Sequence, residues 1–208
     1  MDFADTIFVV AVVIFSAVIH EVMHGVAADK LGDPTARYAG RLTLNPVPHL
    51  DLWGSIIIPI SLALAQSPIF FGYAKPVPYN PYNLRKGRFS EAIVAFAGPA
   101  SNLAIALVMS LMLRLGLVSD LAASLVFIVV VVNVMLFFFN LIPIPPLDGS
   151  KVIEPFLPGG LARGYAQWRD RMESNPLTGM ILVVVIILLL GGAFGSFVYG
   201  VAGMLAGV

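Results

Sequence analysis

The sequence predicts an all-α polytopic membrane protein of about four transmembrane helices, with a re-entrant segment and a short β-like strand near residues 40–46. Three observations carry that expectation. Of the 208 residues, 59% are hydrophobic and 12% charged, with a mean hydropathy of +0.92. A soluble domain holds about 45–50% apolar and about 25% charged residues. Four apolar runs in this chain reach the ~20 residues that a bilayer crossing requires. The ionisable residues gather in the connections and at span ends, apart from one small group inside the first run.

Residues 3–28 form the first span. The stretch before it, Met1-Asp2-Phe3-Ala4-Asp5, lacks the basic region of a cleaved signal peptide, so the span is expected to be retained. Leu42-Thr43-Leu44, between Gly40 and Pro46, reads as the strand-like piece. Residues 52–66 are apolar but interrupted by Pro59, and runs of about 10–14 residues more often re-enter than cross. Pro68, Pro76, Pro78 and Pro81 mark extended loop. Spans follow at 91–118, 121–142 and 177–206, giving one membrane-embedded domain over 1–208. Net charge is zero with no basic run, which excludes nucleic acid as a partner. The absence of cysteine excludes disulfides, thiolate zinc ligands and a cysteine nucleophile.

The exceptional group is His20-Glu21-Val22-Met23-His24. An ionisable group at membrane depth costs about 2.5–3.5 kcal/mol and usually marks function. On a helix of ~3.6 residues per turn, His20 and His24 share one face and can present two imidazoles to one metal ion, with Glu21 beside them to hold a water. A tetrahedral zinc with one open position needs a third protein ligand. The Gly and His that a metzincin would supply downstream are replaced by Ala27 and Lys30, and no Glu occurs between Glu21 and Glu91. Asp29, Asp33, His49, Asp51 and Asp148 remain as candidates. Asp148 has the most suggestive setting, because Pro143, Pro145 and Pro146 end a span just before it and Gly149 permits a sharp turn after it. Irregular backbone at such depth is tolerated where it is buried in protein or lines a cavity. A solvated aspartate at a membrane exit is the competing reading.

The run His20-Glu21-x-x-His24 in an apolar helix, followed by Asn140-x-x-Pro143-x-Pro145-x-Leu147-Asp148-Gly149, resembles the site-2 protease family of intramembrane zinc metalloproteases. Gly40-Arg41-Leu42-Thr43-Leu44-Asn45-Pro46, Ala74-Lys75-Pro76-Val77-Pro78 and Ala97-Gly98-Pro99-x-x-Asn102 look like its compact prokaryotic branch. The match runs from about residue 16 to residue 153. What the resemblance implies is one Zn²⁺ per chain held by His20, His24 and Asp148, with Glu21 as general base, cleaving transmembrane protein substrates in the bilayer. The chain has no room for the inserted PDZ or CBS domain of many relatives.

Other residues take roles around that site. Asn140 could hydrogen-bond the oxyanion or the substrate backbone, or satisfy a carbonyl freed by the Pro143 break. Leu42, Thr43 and Leu44 could offer an edge to an unwound substrate. Asn102 is expected to join helices, and His49 and Asp51 to line a water path or cap an interface. Gly192, Ser196 and Gly200, with Gly203 and Gly207, offer a small-residue face on which a second copy could pack. Arg163, Arg169 and Arg171 with Asp170 and Glu173 read as a solvated helix.

If the first and third spans are to share one ion they must run parallel, which forbids a crossing at 52–66. Four spans then place eleven Lys and Arg on one side and only Arg114 on the other; a crossing at 52–66 would make the split eight against four. The positive-inside rule prefers the first arrangement, a multi-pass protein of the cell membrane with its site toward the cytoplasm. Two alternatives keep the same residues: a metal-binding membrane transporter, suggested by broken helices with Asn133 and Asn140 at depth, and a non-catalytic membrane adaptor, which would not need Glu21.

Overall fold

A computed structural model describes residues 3–51, 57 and 74–208. The expected re-entrant run at 52–66 lies outside the described residues, apart from Ile57. Contacts divide the chain into two units, residues 1–85 and 86–208. All regular structure among the described residues is helical.

The first unit is built on α1, Phe3–Lys30, with Asp5 in its first turn and Lys30 in its last, each of the sign that suits the helix dipole. Apolar side chains and a fully bonded backbone are the two requirements of a membrane helix, and this run meets both. The helix stops at Gly32, whose φ of +107° belongs to the left-handed region that glycine occupies at low cost. The amide of Asp33 then bonds back to Ala28 O at 2.9 Å. A single turn, α2 (Thr35–Tyr38), and a 3₁₀ turn at Val47–His49 follow. Residues 74–80 have no regular structure and lead into a second 3₁₀ turn at Pro81–Asn83, capped by the Asn80 side chain.

The strand expected near 40–46 does not form among the described residues. Residues 41–46 are irregular. A strand needs a ladder partner, and the groups here bond locally instead: Thr43 O meets His49 Nε2 at 2.9 Å, and Thr43 Oγ1 accepts from the Asn45 amide at 3.2 Å.

The second unit packs α3 (Ser90–Arg114), α4 (Asp120–Asn140) and the long α7 (Pro176–Ala206). Ala106 of α3, Val130 and Val134 of α4, and Val198 and Ala202 of α7 form its buried core. Phe138 meets Phe197 at a ring separation of 4.9 Å across the α4–α7 seam. Asn102 joins α3 to α4 as expected, donating to Asn133 Oδ1 at 3.0 Å, with both side chains fully buried. Arg114 donates from Nε to Leu205 O at 2.6 Å and also reaches Met204 O, so it satisfies carbonyls at the C-terminal end of α7. Between α4 and α7 lie the short α5 (Gly149–Ile153), a 3₁₀ turn at Glu154–Phe156, and α6 (Gly159–Glu173).

α1, α3 and α4 are long and apolar enough to cross a membrane. The fourth expected span, in α7, meets the same test as a pair, Ile181–Leu189 and Gly191–Ala206, bent by 72°. Adjacent Gly191 and Gly192 sit at that break, a usual place for a kink. The reading of α6 as a solvated helix holds for Arg163, Asp170, Arg171 and Glu173, which are exposed, and needs correction at Arg169. Arg169 is buried, bonds Glu154 and lies 3.7 Å from Glu91. Burying a guanidinium is tolerable only because carboxylates surround it.

Candidate metal centre

Ser16, His20, His24 and Ala28 recur every fourth residue along α1 and all are buried, whereas Ile7 and Phe15 are exposed. The ordinary period of the helix therefore stacks both histidines on its inward face. Their Nε2 atoms are 3.0 Å apart, with the rings edge-on at 86°. Two nitrogens each ~2.0–2.1 Å from one tetrahedral zinc lie about 3.3 Å apart, so only a few tenths of an ångström separate this pair from ligand geometry. One ligand atom from each of His20, Glu21 and His24 falls within 4.8 Å of the others. This is the one such group among the described residues, and two imidazoles with an adjacent carboxylate are a donor set that suits zinc.

The competing ligands in the first unit lie outside that group. Asp29 pairs with Arg37. Asp33 is fully buried and accepts from the Thr35 amide at 3.2 Å and its hydroxyl, from the Asn80 amide at 2.6 Å and from Asn83 Nδ2 at 2.9 Å. Burial pushes its carboxyl up, but the hydrogen bonds from Thr35, Asn83 and Asn80 together outweigh that and hold it below the ordinary carboxylate range. His49 is buried on Thr43 O. Neither it nor the half-buried Asp51 joins the metal group.

Glu21 has a partner that the sequence did not reveal. Its Oε2 accepts from the Val77 amide at 2.8 Å. The segment carrying Val77 is fixed at both ends. Arg41 Nη2 donates to Lys75 O at 2.7 Å and to Pro76 O at 3.3 Å, and the Lys75 amide donates to His49 O at 2.8 Å. Beyond it, Asn80 and Asn83 are tied to Asp33. The available signal was the Pro76-Val77-Pro78 triplet, which leaves one N–H donor in the run.

In the second unit, Asp148 precedes α5 and is half-buried. Gly149 is required behind it: a Cβ there would lie 2.2 Å from Leu141 O and 2.5 Å from Ile142 O, both main chain. The chain can fold back over the end of α4 at that point only without a side chain. Tyr165 adds a tie from α6, donating to Pro143 O at 2.9 Å. Asn140 donates from Nδ2 to Leu136 O, one turn back on its own helix, at 2.9 Å. Leu42 packs against Gly25, one residue past His24, while Leu44 stays exposed. A cavity of about 400 Å³ opens in this second unit, lined by Arg88, Glu91, Lys151 and Glu154, and contains none of the motif residues. Burial raises the Glu154 carboxyl there, against the pull of Arg169.

These parts define a polytopic helical membrane protein with a buried His-Glu-x-x-His metal motif. The chain is 35% identical over 188 residues to "Putative zinc metalloprotease YwhC" of Bacillus subtilis, covering 86% of this chain and 79% of that protein. It is 31% identical over 196 residues to "Putative zinc metalloprotease Rip2" of Mycolicibacterium smegmatis, covering 88% and 67%. Identity to the protein of the same name from Mycobacterium tuberculosis is 28%, covering 94% and 71%. No family model and no solved structure matches the chain. The chain belongs to the compact site-2 protease-like family of zinc metalloproteases.

Proposed function

We propose that the protein is an intramembrane zinc endopeptidase that hydrolyses peptide bonds in or near the transmembrane segments of membrane-protein substrates. The observation that carries this reading is the group of buried His20 and His24 with half-buried Glu21 on an apolar helix long enough to cross a bilayer. His20 and His24 would hold one zinc ion with Asp148 as third ligand, an assignment supported by the sequence motif Asn140-x-x-Pro143-x-Pro145-x-Leu147-Asp148-Gly149. Bound zinc supplies a Lewis acid and brings the pKa of water toward about 7. Glu21 takes a proton from the attacking water and returns it to the leaving amine. With Oε2 held by Val77, the other oxygen would be left for that transfer. Beside its bond to Leu136 O, Asn140 would use its second Nδ2 hydrogen or Oδ1 to meet a substrate, and Leu42 to Leu44 would receive an unwound segment beside the motif. The uneven distribution of Lys and Arg supports a site toward the cytoplasm.

Purified protein should hold about one zinc per chain and cleave a single-span substrate. His20→Ala and Asp148→Ala should lose the metal. Glu21→Gln should keep zinc and lose cleavage. Cleavage by Glu21→Gln at the parent rate would overturn the reading, and full zinc occupancy in Asp148→Ala would remove that residue from the ligand set.

A further inference from the structure

We infer that the peptide unit between Pro76 and Val77 is a positioning device for the general base, with Arg41 as the side chain that sets it. The inference rests on the protease reading above and adds a residue set to the same site. Glu21 and Gly25 lie one turn apart on one face of α1. A Cβ on Gly25 would lie 2.9 Å from Val77 Cγ1 and 2.6 Å from Leu42 Cδ2, so the missing side chain is what admits Val77 to that face. Seated there, Val77 is buried and its amide reaches Glu21 Oε2 at 2.8 Å. Pro76 and Pro78 carry no N–H, so no neighbouring amide competes for the carboxylate.

The geometry of one peptide group completes the argument. In a trans peptide the C=O and N–H point in opposite directions from a common plane. Arg41 holds the oxygen of the Pro76–Val77 unit at 3.3 Å, and Glu21 takes its hydrogen. The same guanidinium nitrogen also holds Lys75 O at 2.7 Å, which fixes the plane against rotation. A cation on the carbonyl polarises the peptide and strengthens its N–H as a donor. A main-chain donor braced by two prolines has no rotamers to lose when it orders the carboxylate. Glu21 is thereby held in one orientation before substrate arrives, the condition under which a base acts without reorganisation.

The test uses the full chain in detergent and has two arms. In the first, amide hydrogen exchange is read at Val77, the single exchangeable main-chain position in Pro76-Val77-Pro78. Glu21→Ala should speed that exchange by about tenfold or more, the loss expected for a hydrogen bond to a charged group, while Glu21→Gln keeps a carbonyl acceptor and most of the protection. Exchange at Val77 that is the same in Glu21→Ala as in the parent overturns the inference. In the second arm, Arg41→Ala should retain zinc and lower kcat about tenfold or more with KM within about twofold, and Arg41→Lys, whose ammonium can reach the same carbonyls, should recover most of the loss. A raised KM with unchanged kcat would also overturn it, because the segment would then be touching substrate instead of Glu21. A parent that cleaves nothing would count against the protease reading, and the exchange arm would still decide the positioning contact.

Discussion

At the scale of single residues, two positions carry sharp expectations. Gly149→Ala would drive a Cβ into the main chain of Leu141 and Ile142. Overpacking typically costs about 1–3 kcal/mol, and a backbone obstacle yields less than a side chain. The variant should lose cleavage and zinc together, measured by metal content and turnover. Gly164→Ala, in the interior of α6 with nothing near its added Cβ, should by contrast leave both intact and raise stability by about 1 kcal/mol or less. Asp33 is the second position. Its carboxyl lies below the ordinary range in the folded chain, so the stability it contributes is present above the unfolded-state value and is lost as pH falls through the lower folded value. Asp33→Asn should cost about 2 kcal/mol at pH 7, and thermal unfolding of parent and variant should converge as the pH is taken below about 4. A gap that stays constant into acid would mean that the charge contributes nothing. The metal motif was legible at this scale because its spacing is a property of one helix. Val77, Arg41 and Asp33 were not, because their partners lie tens of residues away and act largely through main-chain atoms that carry no residue identity.

At the scale of elements, helix pairing in the second unit depends on a few polar contacts set in an apolar seam. Asn102 and Asn133 face each other across α3 and α4, and Asn133 also donates to Val129 O at 2.9 Å. Asn102→Ala would leave Asn133 Oδ1 without this donor at a fully buried site. Interhelical hydrogen bonds in membrane proteins average about 0.6 kcal/mol and reach about 1.7, so a loss of about 1 kcal/mol in unfolding free energy is expected, measured by titration with a denaturing detergent. An unchanged midpoint would show that the unfolded helices re-pair these amides elsewhere. The sequence announced the helices through length and hydropathy, and their bounds moved by only a few residues, with α3 ending at Arg114 instead of near 118. Gly116, at a φ of +63°, lies in the turn that follows. The strand near 40–46 failed because alternation within three residues cannot supply a ladder partner. The buried ion pair on α6 was hidden because a charged helix looks solvated until a second element brings Glu91 and Glu154 to Arg169.

For the molecule as a whole, the parity of crossings gives the strongest test. The chain has no cysteine, so single introduced thiols can be labelled from either side against no background. Thr35→Cys and Gly164→Cys should react with an impermeant reagent from the cytoplasmic side, and Ser119→Cys from the opposite side. Labelling of Thr35→Cys and Ser119→Cys from one side would require an additional crossing and separate the two halves of the proposed ligand set. The bend in α7 has a consequence for how the protein meets lipid. Straight, its 31 residues would measure about 46 Å, well beyond a hydrocarbon layer of ~30 Å. With the 72° break and Gly191–Ala206 set along the bilayer normal, that part would run about 24 Å and Ile181–Leu189 would add only about 4 Å in the same direction, together close to one layer. In that setting a helix too long for its solvent would be shortened by folding over instead of tilting, and hydrophobic mismatch would fall on the Gly191-Gly192 joint. Thicker bilayers would be met by opening that joint, leaving the α3–α4 pair and its asparagine bridge undisturbed.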